Sequence, residues 1–102
     1  MVTLNTTFQV EEDVHLDFLA YLKHTYISEA KTDKLMSNAR LCKVHAHIVE
    51  EGHSYSVQFT FESLDDLETW DQTMGKKLNE ELLQRFTNRI MGFSTLLEEI
   101  DL

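Results

Sequence analysis

The sequence contains no proline, three glycines and one cysteine. Without proline, chain reversals must rest on Gly52, Gly75, Gly92 or polar turns. A single cysteine excludes an internal disulfide and fits a reducing compartment, so a cytoplasmic location is expected. No apolar run approaches the ~20 residues of a membrane span. No basic segment followed by an apolar one opens the chain, so no secretory signal is read. Basic residues are scarce, nine against 18 acids, for a net charge of −9. That balance argues against nucleic acid, whose affinity comes from Lys and Arg displacing counterions. It equally disfavours anionic membrane surfaces. Gly-rich phosphate loops, a Ser-centred elbow and paired CxxC motifs are missing, which removes the easily recognised enzyme classes. No linker, repeat or low-complexity stretch interrupts the chain, so one domain over residues 1–102 is expected.

What is present is the material of a globular fold. The hydrophobic share is 42% and the aromatic share 10%, too high for disorder. A domain of this size buries roughly two thirds of its unfolded surface and needs no metal to fold. Val2, Leu4, Phe8 and Val10 alternate with Thr3, Asn5, Thr7 and Gln9, the pattern of a half-buried strand. EEDVHLDFLAYLKHTY follows, with Val14, Phe18, Tyr21, Leu22 and Tyr26 at helical spacing and acids in the first turn. The polar stretch 28–38 is expected to end that helix. Arg40–Glu50 and His53–Phe61 read as two strands joined at Glu51-Gly52. That register sets Cys42 opposite Phe61, Val44 opposite Phe59, Ala46 opposite Val57 and Ile48 opposite Tyr55. Ser63 to Asp66 resembles a capping box. A helix carrying Leu64, Leu67, Trp70 and Met74 follows, with Gly75 expected to break it. A second carries Leu78, Leu82, Leu83 and Phe86, and Arg89–Ile100 reads as a final strand.

The order β-α-β-β-α-α-β, two crossovers around a central hairpin, predicts a ferredoxin-like α+β fold. The expected sheet is four-stranded and antiparallel, in the order 4-1-3-2, with helices on one face. Its other face would hold Thr3, Asn5, Thr7, Gln9, Lys43, His45, His47, Ser54, Ser56, Gln58 and Thr60, without one Asp or Glu. The final strand is apolar on both parities, Ile90 and Leu96 on one, Met91, Phe93 and Leu97 on the other. A strand of that kind in a one-sided sheet needs a cover on its second side. A second copy of the chain is the most economical cover, because closed homodimers are the commonest oligomers.

Candidate chemistry is sparse. His45 and His47 share a strand face, but a catalytic zinc site needs three protein ligands and an open position. Gln58, Ser56 and Asn5 are weak ligands, so no metal and no cofactor is expected. The same polar groups can instead line a small-molecule site, giving Asn5, His45, His47, Ser56, Gln58 and Trp70 as candidate ligand contacts. Cys42 is expected to face the helices as a small hydrophobe, Trp70 to pack in the core, and His15 and His24 to lie exposed on the first helix. Acids near helix starts are explained by capping and dipole effects. No catalytic residue is assigned.

NTTF at 5–8, FLAYL at 18–22, RLCKV at 40–44, SYSVQFT at 54–60, QRF at 84–86 and GFSTLLEEI at 92–100 resemble the bacterial domain-of-unknown-function family 4286. The resemblance spans nearly the whole chain. It implies membership of the dimeric α+β barrel group, in which two ferredoxin-like sheets pack face to face. That group includes haem-degrading and cofactor-free monooxygenases, whose motif combines a first-strand Asn, a Trp and, for haem, a helical His. Asn5 and Trp70 match the first two; no histidine follows His53 to match the third. Three functions therefore stand: a homodimeric binding or interaction module, a cofactor-free monooxygenase or isomerase acting on a small organic molecule, and a purely structural dimer.

Overall fold

The computed structural model describes residues 1–45 and 52–102. Strand β1 runs Val2–Val10, β2 Met36–Lys43, β3 His53–Phe61 and β4 Ile90–Glu98. They form one antiparallel sheet in the order β2-β3-β1-β4, which is the expected 4-1-3-2 read from its other edge. Helices α1 (His15–Tyr21) and α2 (Ile27–Ala30) are joined by a π-helical turn at Leu22–Tyr26. Helices α3 (Leu64–Trp70) and α4 (Lys76–Phe86) are joined by another at Asp71–Gly75. Two helical arms, 15–30 and 64–86, thus cross between the strands. No helix among the described residues is long and apolar enough to cross a membrane.

The arms bury most of the residues that their spacing picks out. Phe18, Leu22, Tyr26 and Ala30 recur four apart on the first arm and are all buried. Leu67, Trp70, Leu78, Leu82 and Phe86 form the stripe of the second. They meet the even residues of β1 and the odd residues of β3, chiefly Phe8, Val57, Phe59 and Phe61. Aromatic edges set the fit: Phe18 meets Phe8 at 5.4 Å and Phe86 at 5.1 Å between ring centres, and Trp70 meets Phe59 at 5.3 Å. Leu64 and Leu83 fall outside the stripe and are exposed. The start of the second arm follows its sequence, with Ser63 Oγ accepting the Asp66 backbone N–H at 3.2 Å.

Gly75 does not break its helix. It sits inside the π-helical turn with ordinary helical backbone. Its role is space: a Cβ there would lie 2.9 Å from Cζ3 of Trp70. Gly52 is different, because its φ of +99° lies in the left-handed region that favours glycine. It opens into β3 with a virtual Cβ 2.6 Å from the Val10 carbonyl oxygen.

The pairing of β2 with β3 differs from expectation. Leu41 lies opposite Val57, Ala39 opposite Phe59, Lys43 opposite Tyr55 and Cys42 opposite Ser56. The strand begins at Met36 rather than Arg40, and its register is displaced by five residues. An odd displacement exchanges the two faces. Cys42 therefore leaves the helix side, and Lys43 joins it. The alternation of the segment permitted both solutions, because apolar residues occupy odd positions (Ala39, Leu41) and even ones (Cys42, Val44, Ala46, Ile48). The expected partners Ala46 and Ile48 lie outside the described residues.

Two outcomes test this packing. Gly75→Ala should destabilise the fold by about 1–3 kcal/mol in urea unfolding, and much of that cost should vanish in a Trp70→Leu background, where the clashing atom is gone. Burial, with help from Asp71 and Tyr21, pushes the Tyr26 hydroxyl up to about 12. A folded pKa above the unfolded one leaves stability intact below about pH 10 and removes it as pH rises further. Alkaline melts should fall from about pH 10 in the wild type and more shallowly in Tyr26→Phe.

Candidate functional site

The strand registers define a second sheet face, turned away from both helical arms. β1 contributes Thr3, Asn5, Thr7 and Gln9, and β3 contributes Ser54, Ser56, Gln58 and Thr60. Opposite them stand Asn38, Arg40 and Cys42 from β2, and Met91, Phe93, Thr95 and Leu97 from β4. Alternation of side chains along each strand puts all of these on one side.

Its centre is a hydrogen-bonded polar strip. Ser56 Oγ donates to Asn5 Oδ1 at 2.5 Å, across the β1–β3 pair. The Thr3 and Thr60 hydroxyls lie 3.4 Å apart along the same seam. Gln58 stands between Asn5 on β1 and Arg40 on β2. Ser56 is only 8% exposed, flanked by Thr7 on β1 and Cys42 on β2. The β4 side is apolar and open: Met91 is 64% exposed, Phe93 54% and Leu97 48%. Among the described strand residues of this face, Arg40 is the only charged side chain, with Glu11, Arg89 and Glu99 continuing the ladder just beyond the strand ends.

Asn5, Ser56 and Gln58 are thus brought together. Trp70 is not with them: it lies on the helix side, 1% exposed, against Phe59 and Phe61. His45 follows the end of β2 and is exposed, off the sheet. His47 lies outside the described residues. Cys42, expected under the helices, is half-buried on the open face opposite Ser56. His15, expected on an exposed helix surface, is half-buried and bonded to Tyr55. Arg40 and Cys42 were missed for one reason, the register of β2. The signal that could have found it is the Ala39-Leu41 pair, which matches the odd-numbered apolar row of β3.

Comparison with known proteins bears on this architecture. A family model described as a domain of unknown function, DUF4286, matches residues 1–100. The chain belongs to that family. No curated protein matches it in sequence. Among solved structures, an ethyl tert-butyl ether (EthD) family protein from Bacillus halodurans superposes with a TM-score of 0.77 at 14% identity, covering 98% of this chain and 99% of that one. A candidate antibiotic biosynthesis monooxygenase from Deinococcus radiodurans gives 0.74 at 11% identity, over 100% and 95%. A protein from an uncultured marine organism, described as a dimeric ferredoxin-like protein, gives 0.65 at 17% identity, over 97% of each. At such identities the likeness shows a shared ferredoxin-like α+β fold, and this family member has it.

The polar seam has a measurable energy. In urea unfolding at one protein concentration, Asn5→Ala, Ser56→Ala and the double variant should give a coupling of about 0.5–1.5 kcal/mol. Additive losses would mean that the Asn5–Ser56 bond contributes nothing in solution.

Proposed function

We propose that the protein is a homodimeric binding module, in which the open faces of two copies pack together and enclose a polar layer. One observation carries this reading: exposed Met91, Phe93 and Leu97 share a face with a polar strip that has no carboxylate. Burying each such side chain contributes about 1.5–3 kcal/mol, and a two-fold dimer counts each one twice. Charge points to the same face. Two chains of −9 repel, so they meet best on this face, whose described strand residues include no acid. A related fold is described as dimeric, which supports the same arrangement here. Packed sheets lie about 10 Å apart, so the side chains of Asn5, Ser56, Gln58 and Arg40 would face their counterparts across the layer. A small molecule bearing hydrogen-bonding groups fits that lining better than an apolar one.

A native mass spectrum tests the assembly and its contents together. The wild type should appear at about twice the 11.9 kDa chain mass, and extra mass lost on denaturation would identify a resident ligand. Phe93→Glu with Leu97→Glu should give a monomer with unchanged far-ultraviolet circular dichroism. A wild type that stays monomeric at micromolar concentration refutes the proposal.

A second reading, cofactor-free oxygenation or isomerisation of a small organic molecule, draws on the monooxygenase description of a neighbour. Asn5 and Trp70 would be its residues, yet they lie on opposite faces of the sheet. Uptake of dioxygen with an oxidisable aromatic substrate, abolished in Asn5→Ala, would favour it over the binding module.

A further inference from the structure

Tyr55 ends the buried row of β3, and its hydroxyl needs a partner. His15, the first residue of α1, supplies it: Nε2 lies 2.5 Å from the Tyr55 oxygen. His53 projects on the same side of β3, two residues before Tyr55. Its ring stacks on that of His15, with centres 3.5 Å apart and planes within 10°. The Nε2 of His53 in turn lies 2.5 Å from a carboxylate oxygen of Glu12, in the turn before α1. Lys43 approaches from β2, opposite Tyr55. The charged and titratable groups around His15 are therefore His53 and Tyr55 from β3, Glu12 from its own turn, and Lys43 from β2.

We infer that the His15–His53 stack is a pH-sensitive latch, which holds the start of the first helical arm against the start of β3 and releases it on acidification. This goes beyond the binding-module reading and does not depend on it, because the stack lies on the helix side of the sheet. When His53 carries a proton, its charge faces the Glu12 carboxylate. A proton on His15 is placed differently. The bond to Tyr55 survives it with its direction set, the Nε2–H donating to the phenolic oxygen, but the added charge meets Lys43 and puts two cationic rings face to face. Burial first, then His53 and Lys43 against the opposing pull of Glu12, holds the His15 imidazole below its ordinary 6.5. The opened form takes up the proton that the latched form resists. A folded pKa lowered in this way leaves the latch fully favoured above about pH 6.5 and weakens it as pH falls below that value.

Hydrogen exchange and proton resonances of the imidazoles test the latch. In the wild type, protection of the 12–18 amides should fall as pH is lowered from about 7.5 to 5.5, because the opened form takes up the proton that the latched form resists. Protection in β1 and β3 should hold. His53→Phe keeps a stacked ring without its charge, and its loss of 12–18 protection over that range should be smaller than in the wild type, with burial and Lys43 still acting on His15. The His15 resonance should titrate below 6.5 in the wild type and move upward in His53→Phe. His53→Gln supplies the same readout should the Phe variant fail to fold. Unchanged wild-type protection, a His15 titration at or above 6.5, or equal loss in the charge-free variants would overturn the inference. Oligomeric state, read on the same samples, separates this result from the fate of the dimer.

Discussion

The antiparallel pairing of β1 with β3, from Val2 opposite Phe61 to Val10 opposite His53, sets the rest of the molecule. Both strands alternate large apolar and small polar residues, and the register brings like parity to like parity. One side becomes a wall of Phe8, Val57, Phe59 and Phe61 for the helical arms to cover. The other becomes the strip of Asn5, Ser56, Gln58 and Thr60. A slip of one residue would bury the hydroxyls and expose the rings, so hydrophobic burial enforces the register. The outer strands then inherit their faces from this central pair.

That dependence explains what could be read from the sequence. β1 and β3 alternate without ambiguity, so their extents, their order in the sheet and their polar side were all legible. The stripe of α3 and α4 was legible from its spacing except at Leu64 and Leu83, which turned out exposed, and the Ser63 cap from its chemistry. β2 was not, because apolar residues occupy both parities between Met36 and Ile48. Alternation had two solutions there, and the choice depends on which row best fills the space under the helices. The observed row sets Leu41 on Val57 and Ala39 on Phe59. Gly75 illustrates a different limit. Glycine in a helical pattern reads as a break, but here it makes room for an indole six-membered ring, a tertiary demand invisible along the chain.

The candidate site divides along the same line. Asn5, Ser56 and Gln58 belong to the strands whose parity was plain, and they do meet. Arg40 and Cys42 ride on β2 and took the wrong side with it. His15 failed for another reason. A histidine at a helix start looks solvent-exposed when only the helix is considered, whereas its partner Tyr55 is 40 residues away in sequence. The clue lay on β3, where a tyrosine ends an otherwise apolar row and must satisfy its hydroxyl.

The distribution of charge joins these features into one design. Glu11 and Asp13 are tied to Arg89, and Glu12 to His53, all near the turn that opens the first arm. Asp65 and Asp66 sit in the first turn of α3, where the helix dipole favours them. These acids lie at helix starts and in the turn after β1, and the described strand residues of the open face carry one charged side chain, Arg40. A chain with twice as many acids as bases would otherwise resist self-association over its whole surface. The proton-sensitive stack lies on the helix side of the sheet. Acidification therefore acts first on the attachment of the first arm, while the open face, whose one ionic group among its described strand residues is the Arg40 guanidinium, keeps its charge state.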